Sequence, residues 1–261
     1  PPYTAEVLGS TGNYQTGVTV GQLPITTKKH AVLLGDSHGV MYYPVLLDIC
    51  RQNEITLTSF AADGGTWPFF VRAGTNPETY YAADSTPGSW NPDKRTEFDS
   101  VRRQFLQSHK PKVVILCGRW SFYFRELGAE KFAAYANDLI QAFPPDSQFI
   151  AIGQPPTLPF GSAGFTSGTL NLPPMRAFAE APADRQIRQQ AHELLETIAV
   201  RSTRGQFVSV NELFETARGI QFIDNGTILY RDDDHLNDAG AAKCQSIIAA
   251  KLLHAMSSAN P

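Results

Sequence analysis

Two short stretches, far apart in the chain, hold side chains that can work as a nucleophile and its base. The first is Gly35-Asp36-Ser37-His38-Gly39. It follows His30-Ala-Val-Leu-Leu-Gly35, an apolar run closed by glycine that reads as a buried strand. Ser37 therefore falls where a strand ends and a helix begins, and backbone N–H groups there face any developing oxyanion. A serine hydroxyl is a weak nucleophile at neutral pH and needs a base. The second stretch, Tyr230-Arg231-Asp232-Asp233-Asp234-His235-Leu236-Asn237, supplies one. Asp232 and His235 are three apart, so on one turn of chain the carboxylate reaches Nδ1 and leaves Nε2 for Ser37. The chemistry that follows is acyl transfer through Ser37, with His235 as base and Asp232 as its orienting acid. Asp233 and Asp234 are expected to matter less.

Each stretch also has a plainer reading. Gly-Asp-Ser is a turn that caps a helix, because Ser and Asp are common cap residues. Three aspartates before a histidine make a solvated acidic turn or part of a metal site. No second His-rich segment supplies further ligands at the usual spacing, so no metal and no cofactor are expected. Cys117 could be a thiol nucleophile, but it ends the apolar run Val113–Leu116 and reads as a buried strand thiol. Gly35-x-Ser37-x-Gly39 also matches the nucleophile elbow of α/β-hydrolases. That elbow follows a central strand reached after several others, whereas one strand precedes Ser37. Its acid and histidine also come from separate loops.

The elements that must position these residues alternate along the chain. A helix carrying Val40, Tyr43, Leu47 and Cys50 at helical spacing follows Ser37. A strand over Ile55–Phe60 comes next. Helices from about Lys94 to His109 and about Ala129 to Phe143 precede strands Lys112–Cys117 and Gln148–Ile152. A helix from about Asp184 to Ser202 leads to strand Gln206–Val210. A hairpin is expected at Asp224-Asn225-Gly226, and a last helix from about Asp238 to Met256 is capped by Asn237. Five strands alternating with helices imply a parallel sheet covered on both faces, and the fold expected is a three-layer α/β/α sandwich with a five-stranded, flavodoxin-like sheet. Ligands in such sheets bind at the carboxyl ends of the strands. Residues 1–29, rich in Gly, Thr and Pro, read as a linker or arm packed on a domain of residues 30–261. Residues 63–95 and 153–183 read as long loop excursions, and loops of that length are usually functional or disordered.

Bulk properties narrow the classes. A chain of 261 residues with 42% hydrophobic and 18% charged residues fits one large α/β domain. Net charge is −3, so no basic face marks nucleic acid as a partner. No apolar run approaches the roughly 20 residues of a membrane span. The opening Pro-Pro-Tyr suggests an excised domain or a mature product. The three cysteines, Cys50, Cys117 and Cys244, cannot all pair. Cys50 and Cys244 fall on the first and last helices, which cover one face in a flavodoxin-like sheet. They are expected as neighbours, free rather than bonded.

Gly35-Asp36-Ser37 resembles the first block of the SGNH (GDSL-like) hydrolase family, and Asp232-Asp233-Asp234-His235 resembles its final Asp-x-x-His block. His38 after the serine, with Leu-Tyr-x-Asp-Asp-Asp-His-Leu near the end, is similar to the SGNH domains at the carboxyl end of membrane-bound acyltransferase-3 proteins. The resemblance covers roughly residues 30 to 256, with sharp agreement in the two end blocks. It implies a serine esterase or acyltransferase, an acetyl group, and a polysaccharide acceptor at the bacterial cell surface. It also implies an extracytoplasmic location, with the acetyl donor supplied through a membrane acyltransferase domain tethered at the inner membrane. By the same resemblance, the N–H groups of Ser37 and of Gly64 or Gly65 form the oxyanion hole. The block that should read Gly-x-Asn-Asp is Gly118-Arg119-Trp120-Ser121 here, so Trp120 stands at the position of the Asn donor. Its indole N–H can donate but not accept. Trp67, Trp90 and Trp120 are candidates for sugar-stacking surfaces. The competing reading is a module that keeps the fold without turnover and presents polysaccharide to a partner domain.

Overall fold

The computed structural model describes residues 17–61, 68–70, 92–159 and 177–258. In chain order the strands are β1 (Val18–Val20), β2 (His30–Gly35), β3 (Thr56–Ala61), β4 (Val113–Cys117), β5 (Gln148–Ile152), β6 (Ala177–Phe178), β7 (Gly205–Val208), β8 (Glu215–Thr216), β9 (Gly219–Gln221), β10 (Ile223–Asp224) and β11 (Thr227–Ile228). The α-helices are α1 (Ser37–Gln52), α2 (Pro92–His109), α3 (Trp120–Gln141), α4 (Pro182–Arg201), α5 (Asp238–Lys243) and α6 (Gln245–Ser258).

The central sheet has the order β1-β3-β2-β4-β5-β7. Its last five members are parallel and carry the flavodoxin-like order. Every residue of β2, β3 and β4 is buried, as a parallel sheet covered on both faces requires. Alternate side chains along the strands supply two separate cores. Ala31, Leu33, Val113, Ile115, Ile150 and Ile152 pack with Leu46 and Ile49 of α1 and Ile248 and Leu252 of α6. Val32, Leu34, Val114, Leu116 and Phe149 pack with Leu106 of α2, Phe132 and Leu139 of α3 and Leu195 of α4. Cys50 and Cys244 share the first core, and all three cysteines are free and buried. Burial pushes the Cys50 and Cys244 thiols up to about 12.

The structure departs from the sequence reading in several places, among them the small antiparallel sheet β6-β9-β8, whose first strand lies in the expected 153–183 loop. Val18–Val20 is not part of a mere arm. It adds a sixth, antiparallel strand to the sheet, pairing with Leu57–Ser59 of β3. Helix α3 begins at Trp120, nine residues ahead of its expected start at Ala129. Gly128 sits inside it at φ 71° and ψ 163°, a break that glycine makes at little steric cost and that disguises the helical period. The expected last helix is two, α5 and α6, divided at Cys244. The hairpin at Asn225-Gly226 forms, with Ile223 opposite Ile228 and both turn residues at positive φ. No helix among the described residues is long and apolar enough to cross a membrane.

Candidate active site

β2 lies between β3 and β4, and Gly35 is level with Ala61 on one side and Cys117 on the other. The chain leaves β2 at the carboxyl edge, where the crossovers diverge and ligands bind in such sheets. A Cβ on Gly35 would stand 2.8 Å from the Cys117 carbonyl and 2.9 Å from Gly39 Cα, so only glycine lets the strand pass so close to its neighbours. Asp36 then caps α1, its Oδ1 accepting from His38 N at 2.8 Å. Its Oδ2 accepts from Arg119 N at 2.8 Å and from the Tyr123 hydroxyl, which ties the start of α1 to the start of α3. Burial would raise the Asp36 carboxyl, but His38 and Tyr123 hold it below the usual carboxylate range. Ser37 is the first residue of α1, and N–H groups of a first helical turn have no intrahelical acceptor.

The second stretch is a closed turn. Tyr230 and Leu236 bridge its base, and Arg231 N donates to the His235 carbonyl at 2.8 Å. Inside it, Asp232 Oδ1 accepts from His235 N at 2.8 Å and Asp234 N at 3.2 Å. Leu236 N donates to Met41 Sδ of α1 and Leu158 N donates to the Asp233 carbonyl, so the turn is pinned from both flanks. Asn237 caps α5 as its position suggests, accepting from Gly240 N at 3.0 Å. The outcome is a chain of contacts. His235 Nε2 lies 2.7 Å from Ser37 Oγ, and His235 Nδ1 lies 2.9 Å and 3.0 Å from the two oxygens of Asp232.

Three further residues adjoin this chain. Asp234 Oδ1 is also 2.9 Å from His235 Nδ1. Asp234 Oδ2 is 2.6 Å from Arg119 Nε, a charge contact rather than a well-directed hydrogen bond. His38 is fully buried with its ring centroid 4.7 Å from that of His235; its Nδ1 stands 3.6 Å from Asp36 Oδ1, and neither nitrogen has a hydrogen-bond partner among the described residues. Burial alone would lower the His235 imidazole, but Asp232 and Asp234 overcome it and push it up to about 9. Burial raises both carboxyls, and their bonds to His235 outweigh it and hold them low, Asp234 well below the usual range.

Among the described residues, His38, Asp234 and His235 offer ligand atoms within 4.8 Å of one another, as do Asp232, Asp233 and Asp234, and both sets include Asp234. The guanidinium of Arg119 already stands against Asp234, and a second cation there would meet its charge. Turnover is therefore expected to survive exhaustive dialysis against EDTA. Loss of activity restored by zinc or calcium would contradict this.

Other expected site residues fall differently. Trp120 is not an oxyanion donor or a stacking surface. It is fully buried among Phe69, Tyr123 and Phe132, and its indole N–H donates to the Ile152 carbonyl at 2.7 Å. Position within a motif suggested the role, whereas the early start of α3 turns the ring inward. Gly64, Gly65, Trp67 and Trp90 lie outside the described residues. The sequence reading passed over Arg119 and Gln154. Gln154 Oε1 accepts from Ser121 N at 2.6 Å, and its buried Nε2 has no partner among the described residues.

A flavodoxin-like sheet with a serine, histidine and aspartate in contact at its carboxyl edge defines an acyl hydrolase or acyltransferase class. The family model for the SGNH domain (fused to AT3 domains) matches residues 9–250, and the chain belongs to that family. Among solved structures, it is similar to the periplasmic domain of a lipopolysaccharide acetyltransferase from Salmonella ser. Paratyphi A, at 17% identity, TM-score 0.61 and coverage of 88% of this chain and 85% of that one. A proposed acylhydrolase from Bacteroides fragilis matches at 12% identity and TM-score 0.54, covering 90% of this chain and 92% of that one. A family 3 carbohydrate esterase from Clostridium thermocellum has 17% identity, TM-score 0.46 and coverage of 88% and 98%. No curated protein sequence matches the chain.

Proposed function

We propose that this domain transfers an acetyl group to or from a hydroxyl of a bacterial cell-surface polysaccharide, through an acyl-enzyme on Ser37. The carrying observation is the 2.7 Å contact between Ser37 Oγ and His235 Nε2, with carboxylate behind Nδ1. In the first step the Ser37 hydroxyl proton passes to Nε2 as Oγ bonds to the ester carbonyl carbon. Backbone N–H groups at the start of α1 face the developing oxyanion. The leaving alcohol takes the proton from Nε2–H as its bond to the acyl carbon breaks. Water or a sugar hydroxyl then repeats the sequence in reverse and frees Ser37. Fusion of the family to AT3 domains supports a membrane acyltransferase as the acetyl source, on the extracytoplasmic side. The similarity to a lipopolysaccharide acetyltransferase domain supports a glycan as the acceptor. The contact between nucleophile and base argues against a module that only presents polysaccharide.

A chromogenic acetyl ester, with and without added polysaccharide, tests the reading. Steady phenol release is expected, with acetate appearing on the glycan when one is present. The base must be neutral to accept a proton, and His235 is held as imidazolium until about pH 9. The value of kcat/KM should therefore rise with pH through about 9. The linked stability runs the other way. With the folded value raised, the imidazolium contacts stabilise fully below the ordinary histidine value and are lost as pH rises through about 9. A plateau in kcat/KM reached already near pH 7 would contradict the raised His235 value.

A further inference from the structure

Two carboxylates stand at equal distance from His235 Nδ1, Asp232 in hydrogen-bonding geometry and Asp234 as an ion-pair contact. Asp232 Oδ1 and Asp234 Oδ1 are each 2.9 Å away. Their supports are different. Asp232 is held by its own turn, through the backbone N–H groups of Asp234 and His235, and its side chain is 22% exposed beside Arg231 at 3.4 Å. Asp234 is 5% exposed, and its other oxygen rests on Arg119 at 2.6 Å. The Arg119 backbone N–H in turn donates to Asp36, the residue that caps the helix carrying Ser37. Asp232 thus fixes the ring relative to the turn, and Asp234 fixes it relative to the scaffold that carries the nucleophile.

We infer that Asp234, clamped by Arg119, is a second acid on His235 Nδ1 and shares with Asp232 the positioning of the base. The inference rests on Ser37 and His235 acting as nucleophile and base. A carboxylate this buried is costly unless paired. Asp234 meets that requirement with Arg119 on one oxygen and the imidazole on the other. The charged and titratable groups around the ring are Asp232, Asp234 and Asp233 on its own turn and His38 from α1. Behind them stand Asp36, Arg119 and Arg231. Where a triad has a single acid, its replacement by the amide leaves the wrong tautomer and costs about 10⁴-fold in turnover. Here either carboxylate alone can hold the proton on Nδ1 and leave Nε2 free for Ser37.

The test follows the His235 ring by NMR titration in protein with labelled histidine, alongside kcat and KM, for the wild type, Asp232→Asn, Asp234→Asn and the double variant. Each single variant should lower the ring's titration point by about one to three units, as loss of one adjacent charge does. The double variant should lower it further. Turnover should fall in each single variant by well under about 10⁴-fold and reach that loss when both acids are gone. The inference is overturned if Asp234→Asn leaves the titration in place, or if Asp232→Asn alone brings it to the double variant's value. Should Asp234→Asn fail to fold, the Asp232→Asn arm decides alone: a titration point still above the ordinary histidine value supports the second acid, and one at or below it overturns the inference, because burial by itself lowers the ring. The titration needs no turnover, so failure of the functional reading (an inert site with both acids on the ring) is told apart from failure of this inference (an active site with one acid on the ring).

Discussion

Replacing Ser37 by alanine is expected to lower kcat for an acetyl ester by on the order of 10⁴- to 10⁶-fold, with the fold unchanged. The hydroxyl's recorded hydrogen bond is to His235 Nε2, and the cap of α1 is Asp36, so alanine at the next position removes chemistry without loosening the helix. His235→Ala should cost about as much, because nucleophile and base act as one unit. The double variant should be no slower than the worse single variant, within a few fold. Near-multiplicative losses in steady-state kinetics would mean that the two residues act independently and that the unit is wrong. Circular dichroism of each variant should overlay the wild type.

The second large effect lies away from the chemistry, at Arg188. This guanidinium is fully buried and surrounded by acceptors. Its Nε and one terminal nitrogen meet both oxygens of Glu180, at 3.0 Å and 2.6 Å, and the same terminal nitrogen meets Glu215 at 2.5 Å. The remaining nitrogen donates to Asn211 at 2.6 Å. Leucine at this position would leave the buried Glu180 without the guanidinium that pairs it, and Glu215 with the more exposed Arg185 at 3.6 Å. The expected cost is about 3 to 5 kcal/mol, the usual penalty for removing one partner of a buried ion pair. It is read as a lower urea midpoint with an unchanged slope. A loss below about 1 kcal/mol would show that the cluster is solvated in practice. Activity should weaken before the fold does, because Glu180 also accepts from Thr157 N, and the next residue, Leu158, holds the catalytic turn.

Residues whose chemistry coincided with a strong element boundary were legible in the sequence. Ser37 follows an apolar run closed by glycine, and Asp232 and His235 are spaced for one turn ahead of a capped helix. The parallel sheet covered on both faces followed from the alternation of strands and helices, whereas alternation alone leaves the strand order open. The Arg119–Asp234 contact was not legible, because it joins two junctions that only the packing of α3 and the last turn brings together. Trp120 was misread for a related reason. The helix that buries it is interrupted at Gly128, which hides its start. Val18–Val20 was missed because three extended residues between Gly17 and Gly21 carry too little pattern to distinguish a strand from an arm. The hairpin at Asn225-Gly226 is the opposite case, since both turn residues take the positive φ that the turn demands.

That short strand also sets the direction from which the polypeptide arrives. β1 runs against β3, with Val18 level with Ser59 and Val20 level with Leu57. Ser59 is in turn level with Leu33, two residues below Gly35. At about 3.3 Å per residue, Val18 sits roughly 7 Å along the strand axis from the level of Gly35, where β2 ends ahead of Ser37. The chain therefore enters the described structure at the catalytic rim and travels away from it. A parallel strand at the same edge would have brought the entry point to the opposite end of the sheet.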